Sequence, residues 1–161
     1  MDQSKQITYG SIVPLIGGES IGVSEALGKQ HPEWVLSYSP FEKNDSHYIN
    51  HLTKQGWQGD YVKLDEDKNY KAKTVDVVNT VCPCAGLSSL SHSASPDNPA
   101  NNWMYESAEY VLGNIKPKVF WGENAPRLAQ KTGEPVVKKL REIGEKNGYT
   151  LSIYKTKSKI I

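Results

Sequence analysis

The sequence has few cysteines, no long apolar run and almost no excess of charge, and each absence excludes a class of protein. Only two cysteines occur in its 161 residues, Cys82 and Cys84. A disulfide between residues i and i+2 is strained, so the sequence predicts reduced thiols and a cytoplasmic protein rather than a secreted one held by disulfides. No apolar run approaches the ~20 residues that span a membrane, and the polar N-terminus lacks the apolar core of a signal peptide. We therefore predict no membrane partner.

Charge gives no guidance about other partners, because 19 Lys and Arg residues balance 18 Asp and Glu residues. The net charge therefore neither favours nor excludes nucleic acid. A chain of 161 residues is long enough for one ordinary domain with a hydrophobic core. We predict a single domain over residues 1–161.

Apolar, β-branched segments alternate with amphipathic ones along the chain. This alternation predicts an α/β sandwich with a mostly parallel sheet. Six strands are predicted, over residues 7–13, 34–39, 61–64, 75–81, 118–121 and 149–154. Helices are predicted over residues 19–29, from a cap at Asn44 or Asp45 to about Lys54, from about Asn101 to Leu112, and over residues 135–147. The Ser-, Asn- and Pro-rich residues 88–99 are predicted to be irregular.

Glycine, polar and proline residues follow several of the predicted strands directly. These residues are Gly17, Gly18, Ser39, Pro40, Cys84 and Glu123. Ligands of parallel sheets bind at the carboxyl ends of the strands, so we expect these residues to form one site on one rim of the sheet. Asp60 precedes its predicted strand, so this argument does not place it on that rim.

Cys84 is the candidate nucleophile. It follows the most apolar predicted strand and opens a small-residue, Ser-rich loop, where a thiol is well placed for attack on a substrate. A thiol at the end of a strand is more often structural when taken alone, but Pro83 before it and Glu123 at the next strand end favour the nucleophile. A redox or metal pair of Cys82 and Cys84 is an alternative, although the chain has no third cysteine and only His92 lies nearby.

The other candidates also have purely structural explanations. Gly17 and Gly18 are compatible with an ordinary tight turn, and Glu123 with Asn124 is compatible with a turn that ends a strand. Asp60 is equally compatible with a turn residue. These alternatives stay open on the residues alone.

Four motifs, in order, resemble the DNA cytosine-5 methyltransferase family. Residues 81–88, Val-Cys-Pro-Cys-Ala-Gly-Leu-Ser, resemble its Pro-Cys loop, and residues 122–125, Gly-Glu-Asn-Ala, resemble its Glu-Asn-Val motif. Residues 11–22 line up with its first motif, and Gly59 with Asp60 matches the Gly-Asp pair after its second helix. The amino-acid sequences of these motifs also resemble a bacteriophage branch of the family. The resemblance implies a Rossmann-like methyltransferase fold that uses S-adenosylmethionine.

The resemblance also implies a reaction, the transfer of a methyl group from S-adenosylmethionine to carbon 5 of cytosine in DNA. Cys84 matches the thiolate that adds to carbon 6, and Glu123 matches the acid that holds or protonates ring nitrogen 3. Pro83, Ser88 and Asn124 fall among the residues expected to bind the substrate. The target base must leave the duplex, and the loop of about residues 85–100 is the expected moving part.

For the methyl donor, the resemblance implies that Leu15, Ile16, Gly17 and Gly18 approach the methionine part through main-chain groups. Pro40 or Phe41 is expected to pack on adenine, and Asp60 to accept a hydrogen bond from the adenine amine. Two positions depart from the family pattern: Leu15 replaces its first glycine, and Ser39 replaces the acid that holds the ribose. These departures predict weakened cofactor binding or a different binding mode.

The family pattern continues beyond the last residues of this sequence, with a Gln-x-Arg-x-Arg motif, a target-recognition domain and a final helix that contains asparagine. We therefore expect the C-terminal part of the methyltransferase to be missing, activity of the isolated chain to be weak or absent, and a second chain to supply the missing motifs. The alternatives are an inactive DNA- or partner-binding remnant and an enzyme that modifies free pyrimidine nucleotides.

Overall fold

The computed structural model describes residues 6–156 and divides the chain into two compact units. Unit 1 comprises the residues up to Cys82 together with residues 114–123, and unit 2 comprises residues 83–113 together with those from Asn124 onward. The organisation of residues 1–161 as one domain stays a prediction.

Unit 1 is built on a five-stranded parallel sheet with the order β3-β2-β1-β4-β5. Its strands are β1 (Tyr9–Ile12), β2 (Trp34–Ser37), β3 (Asp60–Lys63), β4 (Val77–Thr80) and β5 (Val119–Gly122). Two helices belong to the same unit, α1 (Gly18–Ala26) and α2 (Glu42–Lys54). The predicted α/β fold with a parallel sheet is therefore confirmed, in the Rossmann-like arrangement typical of methyltransferases.

The strand order reverses between β1 and β4, because the chain passes from β1 to β2 on one side and from β4 to β5 on the other. Such a switch point opens a crevice at the carboxyl ends of the strands, where open α/β sheets bind their ligands. The loop after β1 and the residues after β4 and β5 therefore leave the sheet where a ligand site is expected.

The core of unit 1 explains why the central strands have continuous apolar sequences. Every residue of β1 and β2 is buried, as expected for strands with a covered sheet on both faces. One apolar cluster joins Val35 of β2 to Tyr48 and Leu52 of α2. At the far edge, Val119 and Trp121 of β5 are exposed.

Unit 2 contains two helices, α3 (Asn102–Tyr110) and α4 (Glu134–Lys146). The two helices pack together, and the Lys139 ammonium lies 4.0 Å from the centre of the Tyr105 ring. A π-helical turn, Val111–Ile115, follows α3 directly. No helix in residues 6–156 is long and apolar enough to cross a membrane.

Two predictions from the sequence are wrong. Residues 149–154 form no strand: the Tyr149 N–H turns back to the Gly144 carbonyl over 2.9 Å, and the residues that follow join no ladder. Tyr154 is 84% exposed, so the apolar alternation there has no core to face. The second error concerns α2, which begins at Glu42, so Asn44 and Asp45 lie inside the helix rather than capping it.

Candidate active site

The loop after β1 has an unusual backbone. Val13 and Leu15 both have positive φ angles, 50° and 51°, which bulky L-residues seldom adopt. Gly17 follows with φ 84°, and a Cβ there would lie 2.3 Å from the Tyr48 ring. Gly17 is therefore required twice, by its backbone conformation and by its contact with α2.

Asp45 of α2 holds this loop in place. Its side chain is fully buried, and it accepts one hydrogen bond from the Leu15 N–H over 3.0 Å and another from the Tyr61 hydroxyl over 2.9 Å. Burial raises the pKa of the Asp45 carboxyl, while the bonds from Tyr61 and Leu15 oppose that rise. The first-motif loop is thus tied by one carboxyl group to both α2 and β3.

Gly18 and Glu19 open α1 next to this loop. A Cβ placed on Gly18 meets no atom within 4 Å, so the space beside it is free for a ligand. The Oε2 atom of Glu19 is buried and has no hydrogen-bond partner among the residues that the structure describes. Burial, together with the negative charge of Glu123, raises the pKa of Glu19 to about 7. Ile16 is 72% exposed on the same loop.

The ends of β2 and β3 are joined through Ser39. Its main-chain N–H donates to the Asp65 carboxylate over 2.9 Å, and its hydroxyl donates to Glu66 over 2.7 Å. The family pattern expects an acid at the Ser39 position, and here two acids from the end of β3 reach the same place. Pro40 follows in a short 3₁₀ turn, Ser39–Phe41, and is exposed.

Asp60 does not lie at the carboxyl ends of the strands. It is the first residue of β3 and pairs with Trp34 at the start of β2, while Lys63 pairs with Ser37 at the end. Asp60 is therefore at the amino edge of the sheet, and its carboxylate accepts a hydrogen bond from the Tyr70 hydroxyl over 2.8 Å. The structure does not bring Asp60 to the Leu15–Gly18 loop, because the Gly-Asp pair begins the strand instead of following it. Its predicted contact with adenine is not supported.

The two cysteines have different surroundings. Cys82 of unit 1 is only 4% exposed, and its sulfur lies 3.2 Å from the Thr80 hydroxyl. Cys84 of unit 2 is an exposed free thiol. It begins a 3₁₀ turn, Cys84–Gly86, and its carbonyl accepts hydrogen bonds from the N–H groups of Leu87 and Ser88, over 2.9 and 2.8 Å. The thiol of Cys84 is therefore accessible, and its main chain is fixed by a local turn.

The irregular loop after this turn is anchored by Asn101. Its side chain is buried and donates to the carbonyls of Ser95 and Pro96, each over 3.0 Å. The Ser95 N–H in turn donates to the Gly86 carbonyl over 2.9 Å. A Cβ on Gly86 would lie 2.2 Å from the Asn101 side chain, so the glycine makes room for the anchor. Residues 88–98 therefore have a fixed base.

The Glu-Asn pair lies where the chain passes from unit 1 to unit 2. Glu123 directly follows β5 and is exposed. Asn124 donates to the Met104 sulfur over 3.3 Å and accepts from the Ala125 N–H over 2.8 Å. Ser88 accepts a hydrogen bond from the Leu90 N–H over 3.2 Å. Asn124 and Ser88 thus each help to shape their own segment of unit 2.

Among the residues that the structure describes, no group of three or more His, Cys, Asp or Glu side chains is arranged to hold a metal ion. The reactive groups that the sequence singled out are the thiol of Cys84 and the carboxyl group of Glu123.

A family model described as C-5 cytosine-specific DNA methylase matches residues 16–160. The chain belongs to the C-5 cytosine-specific DNA methylase family. Members of this family use S-adenosylmethionine as the methyl donor and cytosine in DNA as the substrate. A search among curated proteins found no match for this chain.

The loop after β1 fits the family's methyl donor on three observations. The space beside Gly18 is open, Glu19 has a buried oxygen without a partner, and the N-terminus of the nine-residue helix α1 presents main-chain N–H groups. Helix N–H groups favour an anion, and an unpaired carboxyl oxygen favours a cation. S-adenosylmethionine carries both kinds of charge: a carboxylate, and an ammonium group together with a sulfonium ion. The residues are therefore compatible with the cofactor.

Reasoning from the sequence missed three residues of this region: Asp45, Glu19 and Asp65. Asp45 carries a signal, since it shares the buried face of α2 with Tyr48 and Leu52 at helical spacing. Glu19 directly follows the glycine pair, where an acidic residue beside a cofactor loop is a recognisable feature. Asp65 also carries a signal, since it directly follows the strand predicted over residues 61–64, the kind of position that singled out Glu123.

Proposed function

We propose that this chain transfers a methyl group from S-adenosylmethionine to carbon 5 of cytosine in DNA through a covalent adduct at Cys84. The observation that carries the proposal is the exposed thiol of Cys84, which begins a 3₁₀ turn four residues after the end of β4. β4 and β5 are neighbouring parallel strands, and Glu123 directly follows β5. The segments that carry the thiol and the acid therefore leave the sheet at adjacent strand ends, which supports a shared task.

The proposed chemistry starts with the Cys84 thiolate, which adds to carbon 6 of cytosine and makes carbon 5 nucleophilic. Glu123, as the carboxylic acid, donates its proton to ring nitrogen 3 and so neutralises the negative charge that develops there, an effect typically worth ~10²–10⁴-fold in rate. S-adenosylmethionine, when bound, supplies the electrophilic methyl group. Loss of the carbon 5 proton then expels the thiolate and restores the aromatic ring. The base must be out of the duplex for Cys84 to reach it.

For the cofactor, we propose that the main chain of Leu15, Ile16, Gly17 and Gly18 lines the methionine end and that Pro40 packs on adenine. The open space beside Gly18 and the exposure of Pro40 support this assignment. Asp60 is left out, since it lies at the amino edge of the sheet.

For the substrate, we propose that Pro83, Ser88 and Asn124 shape the pocket for the base and that the loop of residues 85–100 closes on the DNA. Ser88 and Asn124 organise their own main chain through the Leu90 and Ala125 N–H groups, which supports a role in shaping the pocket. The phage-type branch, the missing C-terminal part, a second chain that supplies the missing motifs and a cytoplasmic location stay predictions.

Covalent trapping tests the proposed function. The chain is incubated with S-adenosylmethionine and a random-sequence duplex in which 5-fluorocytosine replaces cytosine, because fluorine at carbon 5 blocks release of the thiolate. We expect a denaturation-resistant adduct with the wild type and with Cys82→Ala, and none with Cys84→Ala. No adduct with the wild type, or an adduct that persists in Cys84→Ala, contradicts the proposal.

A second candidate function, binding of DNA or of a methyltransferase partner without turnover, is favoured by one observation. Leu15 holds a left-handed backbone conformation where the family has glycine, and it adds a side chain that glycine lacks to the loop expected to bind the cofactor. Calorimetric titration with S-adenosylmethionine separates the two functions. Absence of detectable heat supports the binding function, and saturable binding supports the methyltransferase.

A further inference from the structure

Glu19 combines three features that rarely occur together in a resting protein. It lies in the first turn of α1, its Oε2 atom is buried, and within residues 6–156 that atom has no hydrogen-bond partner. Burying a carboxylate without a partner is costly, so such an oxygen is either protonated or paired with a ligand. Glu19 directly follows Gly18, where the space is open. The residue with the unpaired oxygen is thus the neighbour of the glycine that leaves room for a ligand.

The charges around Glu19 favour a cation as that partner. Glu123 is the charged group that acts on Glu19, and its negative charge adds to the effect of burial. β4, which packs on α1, presents the uncharged Asn79, whose amide donates to the Ser20 hydroxyl over 2.9 Å. The N-terminus of α1 favours the carboxylate form of Glu19, but the effect of a helix end is small. Two carboxyl groups thus act on each other in this region, and a bound cation would relieve their repulsion.

We propose that Glu19 is the anionic ligand of the positively charged methionine end of S-adenosylmethionine, and that it gives up a proton to solvent when the cofactor binds. This inference rests on the proposed function for the identity of the cofactor. The ammonium and sulfonium groups of S-adenosylmethionine are both candidates for the cation. S-adenosylhomocysteine distinguishes them in the experiment, because it keeps the ammonium group and lacks the sulfonium charge.

Isothermal titration calorimetry tests the inference without any turnover. The wild type, Glu19→Gln and Glu25→Gln are titrated with each ligand at pH 7, in two buffers of different ionisation enthalpy. We expect the wild type to release about half a proton at pH 7, and more at pH 6, because the free carboxyl is then more fully protonated. Glu19→Gln is expected to remove that release and to weaken binding about 10- to 100-fold, the usual cost of losing a charged hydrogen bond.

Glu25→Gln is the matched control, because Glu25 is an exposed residue of the same helix. Weakened binding of both ligands in Glu19→Gln assigns Glu19 to the ammonium group, and weakened binding of S-adenosylmethionine alone assigns it to the sulfonium. Equal affinity and equal proton release in Glu19→Gln and wild type overturn the inference, as does a wild type that binds neither ligand. The proposed function fails differently, by giving no trapped adduct while binding that depends on Glu19 persists.

Discussion

The carboxylate of Asp45 accepts a hydrogen bond from the main-chain N–H of Leu15 over 3.0 Å, and this bond links the middle of α2 to the loop after β1. Leu15 has a φ angle of 51°, at the position where the family pattern has its first glycine. A left-handed conformation costs a residue with a side chain roughly 1–2 kcal/mol. A buried hydrogen bond to a carboxylate is of comparable size, roughly 1.5–3 kcal/mol. Asp45 therefore offsets the strain that the lost glycine introduces.

Removal of the Asp45 carboxyl group is expected to destabilise the protein. Asp45→Ala leaves the Leu15 N–H and the Tyr61 hydroxyl without their acceptor, at a cost of about 2–4 kcal/mol in the free energy of unfolding. Asp45→Asn keeps an oxygen for Leu15 and is expected to cost clearly less. Urea denaturation of the three proteins measures the difference. Equal losses in both variants contradict the role given to these two hydrogen bonds.

Leu15→Gly is expected to be more stable than Leu15→Ala by about 1 kcal/mol, since glycine adopts a positive φ without the steric cost that any Cβ brings. The comparison between these two variants, rather than with the wild type, removes the contribution of the leucine side chain to packing. Thermal unfolding at neutral pH gives the values. If the alanine variant is the more stable of the two, the backbone strain assigned to Leu15 is absent.

The local sequence pattern was enough to predict most of the fold. The 3.6-residue periodicity before Gly148 predicted a helix over residues 135–147, and α4 spans Glu134–Lys146. Strands were predicted where β-branched residues cluster, because the strands of a covered parallel sheet have nearly continuous apolar sequences. Residues 149–154 show the limit: an apolar alternation forms a strand only where a neighbouring strand can accept its hydrogen bonds, and the local sequence does not contain that information.

The candidate site was less predictable, for a related reason. Strand ends are local features, so the sequence could place Gly17, Ser39 and Glu123 after them, while their roles in a site stay a prediction. Asn44 or Asp45 was expected to cap α2, because short polar residues near a helix start usually do so. Asp45 instead accepts a hydrogen bond from the Leu15 N–H, thirty positions earlier in the chain. This role depends on where α2 begins and on how the chain folds Leu15 against it.

The titration of Glu19 predicts a pH-dependent difference in stability between the wild type and Glu19→Gln. The folded-state pKa is raised from 4.5 to about 7, so the folded protein binds more protons than the unfolded chain between these values, and the wild type loses stability as pH rises through them. Glutamine stays neutral throughout. We expect Glu19→Gln to match the wild type at pH 4 and to exceed it by about 1–2 kcal/mol at pH 8, after allowance for the partial exposure of Glu19.

Urea denaturation at both pH values, with Glu25→Gln as the control, measures this difference. The control is expected to follow the wild type at each pH, since Glu25 is exposed on the same helix. A gap between Glu19→Gln and the wild type that is equally large at pH 4 and pH 8 points to altered packing and argues against titration of the carboxyl group.

The anchor at Asn101 predicts local control of the loop of residues 88–98. Asn101→Ala removes two hydrogen bonds to the carbonyls of Ser95 and Pro96, so the base of the loop is expected to open more often. Hydrogen–deuterium exchange read by mass spectrometry should show faster exchange in peptides covering residues 86–98 and unchanged exchange in α4. The exposed neighbour Asn102, replaced by alanine, is the control and should leave the loop unchanged. Uniformly faster exchange across unit 2 in Asn101→Ala contradicts this role, because it indicates general destabilisation rather than a local anchor.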